Sequence, residues 1–388
     1  MSDDAEPLAH LSLRAECLDR RREAVRSSLR AQGLDGIICY GNGRHSFLAS
    51  NPAWYLTGFR QLGPHMAVLL PVDGDPVVVT TPAWDLGRIK EQVDMFDIVA
   101  VEPEDFLATI RVEIERRNMR TKRLAVAGGV QPRMVSDAWS AMLDQPPVPG
   151  DKLVSDIARV RDAWSLACVR KAVDIAERGY QYGLEIARPG MPEYKLAAEM
   201  EAFMRGLGAE DNFQLLAASQ HNRAAHRPSE RLLNVGDVLL GEITPAVEGE
   251  YVQICRSAVV GTPTNLQCET FALLDRALRD AMRAAKPGVA ARDIVTIMNA
   301  PIVAAGYETY TKPPYMRTRG HSMALGSMDP EIALNSDEIM VKGMVFVMHP
   351  NQYIPETGYM MCGEPVLITD EGAQPLTSRM GQLDVIAV

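Results

Sequence analysis

The sequence predicts a mixed α/β (α+β) protein in two parts, a small N-terminal α/β domain over 1–152 and a larger domain over 153–388. Three observations predict this. A chain of 388 residues exceeds one ordinary domain. Short β-rich runs crowd the first half, whereas stretches with an apolar residue every three or four positions open the second. Between them, "DQPPVPGDKL" carries prolines that cannot continue a helix or a central strand.

Each element follows from local pattern. Residues from about 11 to 33 read as an amphipathic, arginine-rich helix. "DGIICYG", "HMAVLLP", "PVVVTT", "FDIVAVE" and "RLAVAGG" read as strands. "HMAVLLPVDGDPVVVTT" is a hairpin, because Asp73-Gly74 supplies turn chemistry. In the second half, Leu166, Val169, Val173, Ala176, Tyr180 and Leu184 form one buried helical stripe, ended by "RPGM". Further helices are expected near 192–207, 266–286 and 290–305, and strands over 343–370. "GDVLLGEITPAVEGEYVQICRS", Gly236 to Ser257, reads as two strands around a turn. Glu242 lies within the first apolar arm and Gln253 on the second. Such a hairpin suits a metal ion or a substrate.

Composition narrows the function. Apolar residues make up 47% of the chain, enough for a sizeable core. The formal net charge of −10 disfavours nucleic acid, whose phosphates need a basic stripe. No apolar run reaches the roughly 18 residues that span a bilayer. The acidic "MSDDAEPLAHLSLRAE" has no apolar signal region, so a cytoplasmic protein with no membrane partner is expected. The six cysteines include no C-x-x-C pair, which argues against a zinc knuckle or a disulfide framework. H-E-x-x-H, P-loop and G-x-S-x-G motifs are absent.

Four histidines of the second half stand beside glycine, proline or polar turns: His221, His226, His321 and His349. "AAHRPSERLLNVGD" places His226 before the hairpin, and "TRGHSMALG" places His321 beside a glycine where backbone could approach a ligand. "GMVFVMHPN" places His349 at a strand end, and "MMCGEPVLIT" places Glu364 before a strand. A lone histidine is more often structural than catalytic. Their company with Glu242 and Gln253 favours a site.

Six stretches in order resemble the pita-bread family of methionine aminopeptidase, aminopeptidase P, prolidase and creatinase: "VRDAWSLACVRKAVDIAE", "RPGMPEYKLAAEMEAFMRGLGA", "GDVLLGEITPAVEGEYVQICRS", "RGHS", "GMVFVMHPNQYIP" and "EPVLITDEGAQPLT". The resemblance covers about residues 18–380. It implies a small N-terminal domain followed by a pita-bread catalytic domain. The family's peptidases hold two metal ions through two aspartates, a histidine and two glutamates. Those positions carry over to Glu242, Gln253, His321, His349 and either Gly363 or Glu364. Only His321 keeps its type. Two neighbouring cations need bridging carboxylates, so the resemblance points to the creatinase-type members.

The expectation is a hydrolase without cofactor that cleaves a non-peptide C–N bond (amide, amidine or ureido) in a small carboxylated molecule. His226, before Arg227-Pro228, is its acid/base. His321 and Glu242 complete the catalytic set, and Gln253, His349 and Glu364 bind substrate. Two alternatives stand beside it: an enzyme with one divalent metal ion on His321, His349 and Glu242, and an inactive binding protein. The resemblance also implies a homodimer in which one subunit's N-terminal domain reaches its partner's site. Trp54, Arg60 and His65 are the candidates for that contact. Arg223 and Arg319 are further carboxylate binders, with Arg317 and Lys312 behind them.

Overall fold

Runs of Val, Ile and Leu between glycine and proline turns become the strands of the first unit. The computed structural model describes residues 5–43, 46–93, 96–129 and 131–388. Its elements are α1 (Ala5–Ala31), β1 (Gly36–Gly41), α2 (Pro52–Thr57), β2 (Met66–Pro71), β3 (Val77–Thr80), α3 (Leu86–Gln92), β4 (Asp97–Ala100), α4 (Phe106–Arg116), β5 (Leu124–Ala127), α5 (Arg133–Met142), β6 (Val148–Pro149) and α6 (Asp151–Ala158). The strands form one sheet in the order β4-β3-β2-β1-β5-β6. The hairpin expected around Asp73-Gly74 is present: β2 and β3 pair antiparallel, and Gly74 takes φ 114°. Ile38, Leu69, Phe106, Ile110 and Trp139 share one core.

The second unit holds α7 (Ala163–Ile186), α8 (Glu193–Gly206), β7 (Asp211–Ser219), β8 (Val238–Val247), β9 (Glu250–Tyr251), β10 (Ile254–Val260), α9 (Asn265–Ala284) and α10 (Ala291–Ala304). There follow β11 (Gly320–Ser322), β12 (Val345–Met348), β13 (Gln352–Ile354), β14 (Gly358–Met360), β15 (Glu364–Thr369), β16 (Gly372–Pro375) and β17 (Leu383–Ile386). One sheet runs β17-β10-β8-β7, with β9 beside β8; another runs β11-β12-β15-β16; β13 and β14 form a hairpin. Val169, Val173, Ala176 and Tyr180 of the α7 stripe are buried, and Tyr180 donates to Asp384 at 2.9 Å. Leu274 and Leu278 of α9 and Met298 of α10 pack with Phe346 and Val366 of the second of these sheets.

Contacts divide the chain after Trp164. The first unit also takes Leu325–Ser327; the second comprises Ser165–Ala324 and Met328–Val388. Helix α6 belongs to the first unit because it packs on α1. Among the described residues, no helix is long and apolar enough to cross a membrane.

Candidate active site

The site begins with the β8–β10 hairpin. Its tip, Glu248-Gly249, has φ 47° and 79°, the pair of positive values a two-residue hairpin loop needs. Cys255 stands opposite Glu242. Side chains alternate along a strand, so Glu242, Thr244, Gln253 and Cys255 share one face, and Arg256 points to the other. Pro245 has no N–H, which interrupts the ladder between β9 and β10, although Val252 N still donates to the Pro245 carbonyl at 3.2 Å. Gln253 lies beside that break, and its Nε2 donates to Glu242 Oε2 at 3.3 Å.

The second half comes from the other sheet. His321 pairs with Val347 across β11 and β12. His349 follows β12, and its backbone N donates to Arg319 O at 2.9 Å. Cys255 and Gly363 exchange two backbone hydrogen bonds of 3.1 Å, which join β10 to the start of β15. That junction brings the hairpin residues to the histidines. The His321 and His349 rings lie 5.4 Å apart at 64°.

Gly363 faces this junction. A Cβ there would come within 2.7 Å of His349 Cβ and 3.0 Å of Cys255 Cβ. The ambiguity left by the sequence is thereby resolved. Glu364 points to the opposite face, fully buried, 3.0 Å from Arg256 Nη1. It also accepts from Thr377 at 2.7 Å and from Gly381 N at 2.6 Å. Glu364 is therefore a structural anion rather than a substrate ligand. Gly363→Ala is expected to destabilise the protein by about 1–3 kcal/mol through overpacking. A shift in the urea midpoint relative to wild type measures it; an unchanged midpoint would show that the junction can relax.

The electrostatics are set by burial. Glu242 is partly exposed, yet desolvation pushes its carboxyl up to about 7. Burial, with His321 adding to it, pushes His349 down to about 3. His321 is also lowered by burial, against the opposing pull of the Ser322 carbonyl, which its Nδ1 meets at 3.0 Å. Both imidazoles are neutral at ordinary pH. Three buried polar atoms of this region, Gln253 Oε1, His349 Nδ1 and Thr244 Oγ1, have no hydrogen-bond partner among the described residues.

The other expected residues are distributed differently. His226 is exposed. Its carbonyl receives Leu216 N at 3.1 Å beside β7, and its Nδ1 meets the Arg227 carbonyl at 2.8 Å. Arg223 is exposed. Arg319 is fully buried, with its three guanidinium nitrogens on Asn299, Asn351 and Gln352 at 2.7, 2.9 and 2.7 Å. It clamps the segment after His349 and is not open to a carboxylate. Arg317 and Lys312 pair with Glu331 and Glu308. The close approach at Gly320 is to the Val347 carbonyl, 2.3 Å from a Cβ built there, rather than to a ligand.

Trp54, Arg60 and His65 belong to the first unit. Trp54 is 1% exposed and lies 6.3 Å from the Trp164 ring. The Arg60 carbonyl accepts from Arg88 at 2.6 Å. His65 stacks on Phe106 at 5.0 Å and meets the Tyr40 hydroxyl at 2.8 Å.

Sequence reasoning missed Tyr359 and Asn351. Burial, then the charges of Glu242 and Cys255, push the Tyr359 phenol up. Asn351 Oδ1 accepts from Cys362 N at 3.0 Å and braces the same strand. The signal was the hairpin "NQYIPETGYM", whose register sets Tyr359 across from Tyr353.

Known proteins are similar over nearly the whole chain. The profile of metallopeptidase family M24 matches residues 167–370, and that of the creatinase/prolidase N-terminal domain matches residues 21–157. An Xaa-Pro dipeptidase of Pyrococcus furiosus is 26% identical over 334 residues, 85% of this chain and 92% of the relative. The solved dipeptidase PepE of Mycobacterium ulcerans has a TM-score of 0.80 at 23% identity, covering 96% of this chain and 99% of its own. A solved Xaa-Pro dipeptidase of Bacillus anthracis has a TM-score of 0.81 at 21% identity, covering 95% and 99%. At these identities the solved structures show the fold: an N-terminal α/β domain followed by a pita-bread domain, as expected.

These comparisons overturn the expected function. The relatives are named as dipeptidases, and the family is a metallopeptidase family. The expectation of a cofactor-free hydrolase of a non-peptide C–N bond is therefore corrected. The residues themselves depart from the family's donor set. Gln253 and Gly363 stand where a dinuclear centre needs carboxylates, and His349 fills the space beside Gly363. Among the described residues, no group of three or more His, Cys, Asp or Glu is placed to hold a metal ion. The side chains do not fit a two-metal centre, nor the one-ion set of His321, His349 and Glu242.

Proposed function

Because this chain belongs to metallopeptidase family M24, we propose that it hydrolyses the amide bond of a small dipeptide of the Xaa-Pro kind that its relatives' names specify. The observation that carries this reading is the pair of buried polar atoms, on Gln253 and His349, that have no partner among the described residues. Buried polar groups are nearly always paired, so Gln253 Oε1 and His349 Nδ1 await a ligand's donors. Gln253 Oε1 accepts an N–H of the dipeptide, while its Nε2 steadies Glu242.

Glu242 carries the proton. A carboxyl near 7 takes a proton from the attacking water and returns it to the leaving nitrogen. A neutral imidazole has one N–H to donate to the carbonyl oxygen as charge develops there, a role open to His349 through Nε2. Burial keeps His349 neutral, whereas the N–H of His321 is already given to the Ser322 carbonyl.

The test is release of free proline from Ala-Pro and Phe-Pro by the full chain, followed by chromatography with and without added Mn²⁺. Proline release is expected in at least one condition. Glu242→Gln is expected to lower kcat by about 10²–10⁴-fold, with a smaller change in KM. No proline release under either condition would overturn the reading.

A further inference from the structure

Four aromatic rings gather beside the β13–β14 hairpin. Tyr315 stacks on Tyr353 with centroids 5.6 Å apart and planes at 18°. Tyr310 meets Tyr315 edge-on at 4.8 Å, and His221 meets Tyr353 edge-on at 5.7 Å. Tyr315 is 43% exposed, and Tyr310 and Tyr353 remain partly exposed. Tyrosine carries a large apolar face, so an open group of such rings marks a binding surface more often than chance.

Polar bonds pin this group in place. Gln352 Nε2 donates to the Tyr310 carbonyl at 2.7 Å, and His221 Nε2 meets the Pro355 carbonyl at 2.8 Å. Tyr359 N donates to Asn222 O at 2.7 Å. Asn222 Nδ2 in turn donates to the carbonyl of Val238, on the strand that carries Glu242, at 2.7 Å. Tyr353 is directly across from Tyr359 in the hairpin, so the two side chains share a face. The row of Tyr310, Tyr315 and Tyr353 thus stands on the hairpin whose two ends run into His349 and Gly363 at the junction.

We propose that this tyrosine row determines specificity, by receiving an aromatic side chain at the Xaa position of the dipeptide on the faces of Tyr353 and Tyr315. The substrate class rests on the hydrolase reading above. The preference for a ring rests on the geometry. Aromatic pairs favour offset or edge-on contacts at 4.5–7 Å, the spacings this row already shows. An aliphatic side chain gains area on such a surface without the ring–ring term.

The experiment is isothermal titration calorimetry of Phe-Pro and Ala-Pro on the full chain and on Tyr353→Leu, Tyr315→Leu and Tyr353→Phe, each checked for native circular dichroism. Wild type is expected to bind Phe-Pro about tenfold more tightly than Ala-Pro. Either leucine variant should cut that ratio about three- to tenfold, and Tyr353→Phe should restore it. Equal affinities in wild type, a ratio unmoved by the leucine variants, or no binding of either dipeptide would overturn the proposal. The two readings fail separately. A ring preference in binding without proline release sinks the hydrolase reading alone. Proline release without a ring preference sinks this one alone.

Discussion

Glu364→Ala is expected to lower the unfolding free energy by about 3–5 kcal/mol, because it strands a buried guanidinium. Arg256 is 4% exposed and Glu364 fully buried, so neither has water to fall back on. Arg256 Nη1 also donates to the Gly363 carbonyl at 2.7 Å and the Cys255 carbonyl at 3.0 Å. The pair therefore braces the junction that brings Glu242 to the histidines. Urea unfolding measures the loss. Arg256→Met combined with Glu364→Leu should recover most of it, since removing both charges leaves nothing stranded. A single-variant loss under about 1 kcal/mol would refute the view that this pair holds the junction.

Glu242→Gln is expected to change how stability depends on pH. The carboxyl titrates near 7 in the folded chain against 4.5 ordinarily, so the folded state holds its proton longer. When the folded state binds more protons, stability falls as pH rises. The contribution is fully present below about pH 4.5 and is lost as pH rises to 7 and just above. Discounted for partial exposure, the loss is about 2–3 kcal/mol. Glutamine does not titrate. The variant should therefore lose less stability than wild type between pH 5 and pH 8, by about that amount. Denaturant titrations of both proteins at the two pH values decide it. Identical pH dependence would place the Glu242 carboxyl back in the ordinary range, and with it remove the proton carrier from the proposed reaction.

Much of the fold was legible because its signals are local. The α7 stripe repeats at helical spacing, Asp73-Gly74 marks a turn, and the β8–β10 hairpin carries Gly249 at its tip. The site was legible only where motif order supplied positions. In the structure Gln253 bonds Glu242 on the hairpin, and the His321 and His349 rings lie together on the other sheet. Motif order had offered Glu364 as a ligand and the planar fork had offered Arg319, whereas each is buried with its partners filled. His226 looked like an acid/base from its neighbours in sequence, yet its ring is exposed and meets the carbonyl of Arg227. The missed Tyr359 has no distinctive neighbours, and only its cross-strand partner reveals it.

The sequence by itself determined the elements, the family and the identity of the side chains at the family's ligand positions. Periodicity, turn chemistry and motif order are properties of neighbouring residues, and they survive in a linear string. Only the tertiary structure decided which way those side chains point and what surrounds them. The Cys255–Gly363 pairing sends Glu364 away from the site, fills the space at Gly363 with His349, and leaves Gln253 Oε1 and His349 Nδ1 buried without partners. Strand register inverts a side chain's face with a shift of one residue, and desolvation depends on atoms far away in the chain. Neither quantity can be read from neighbours in sequence.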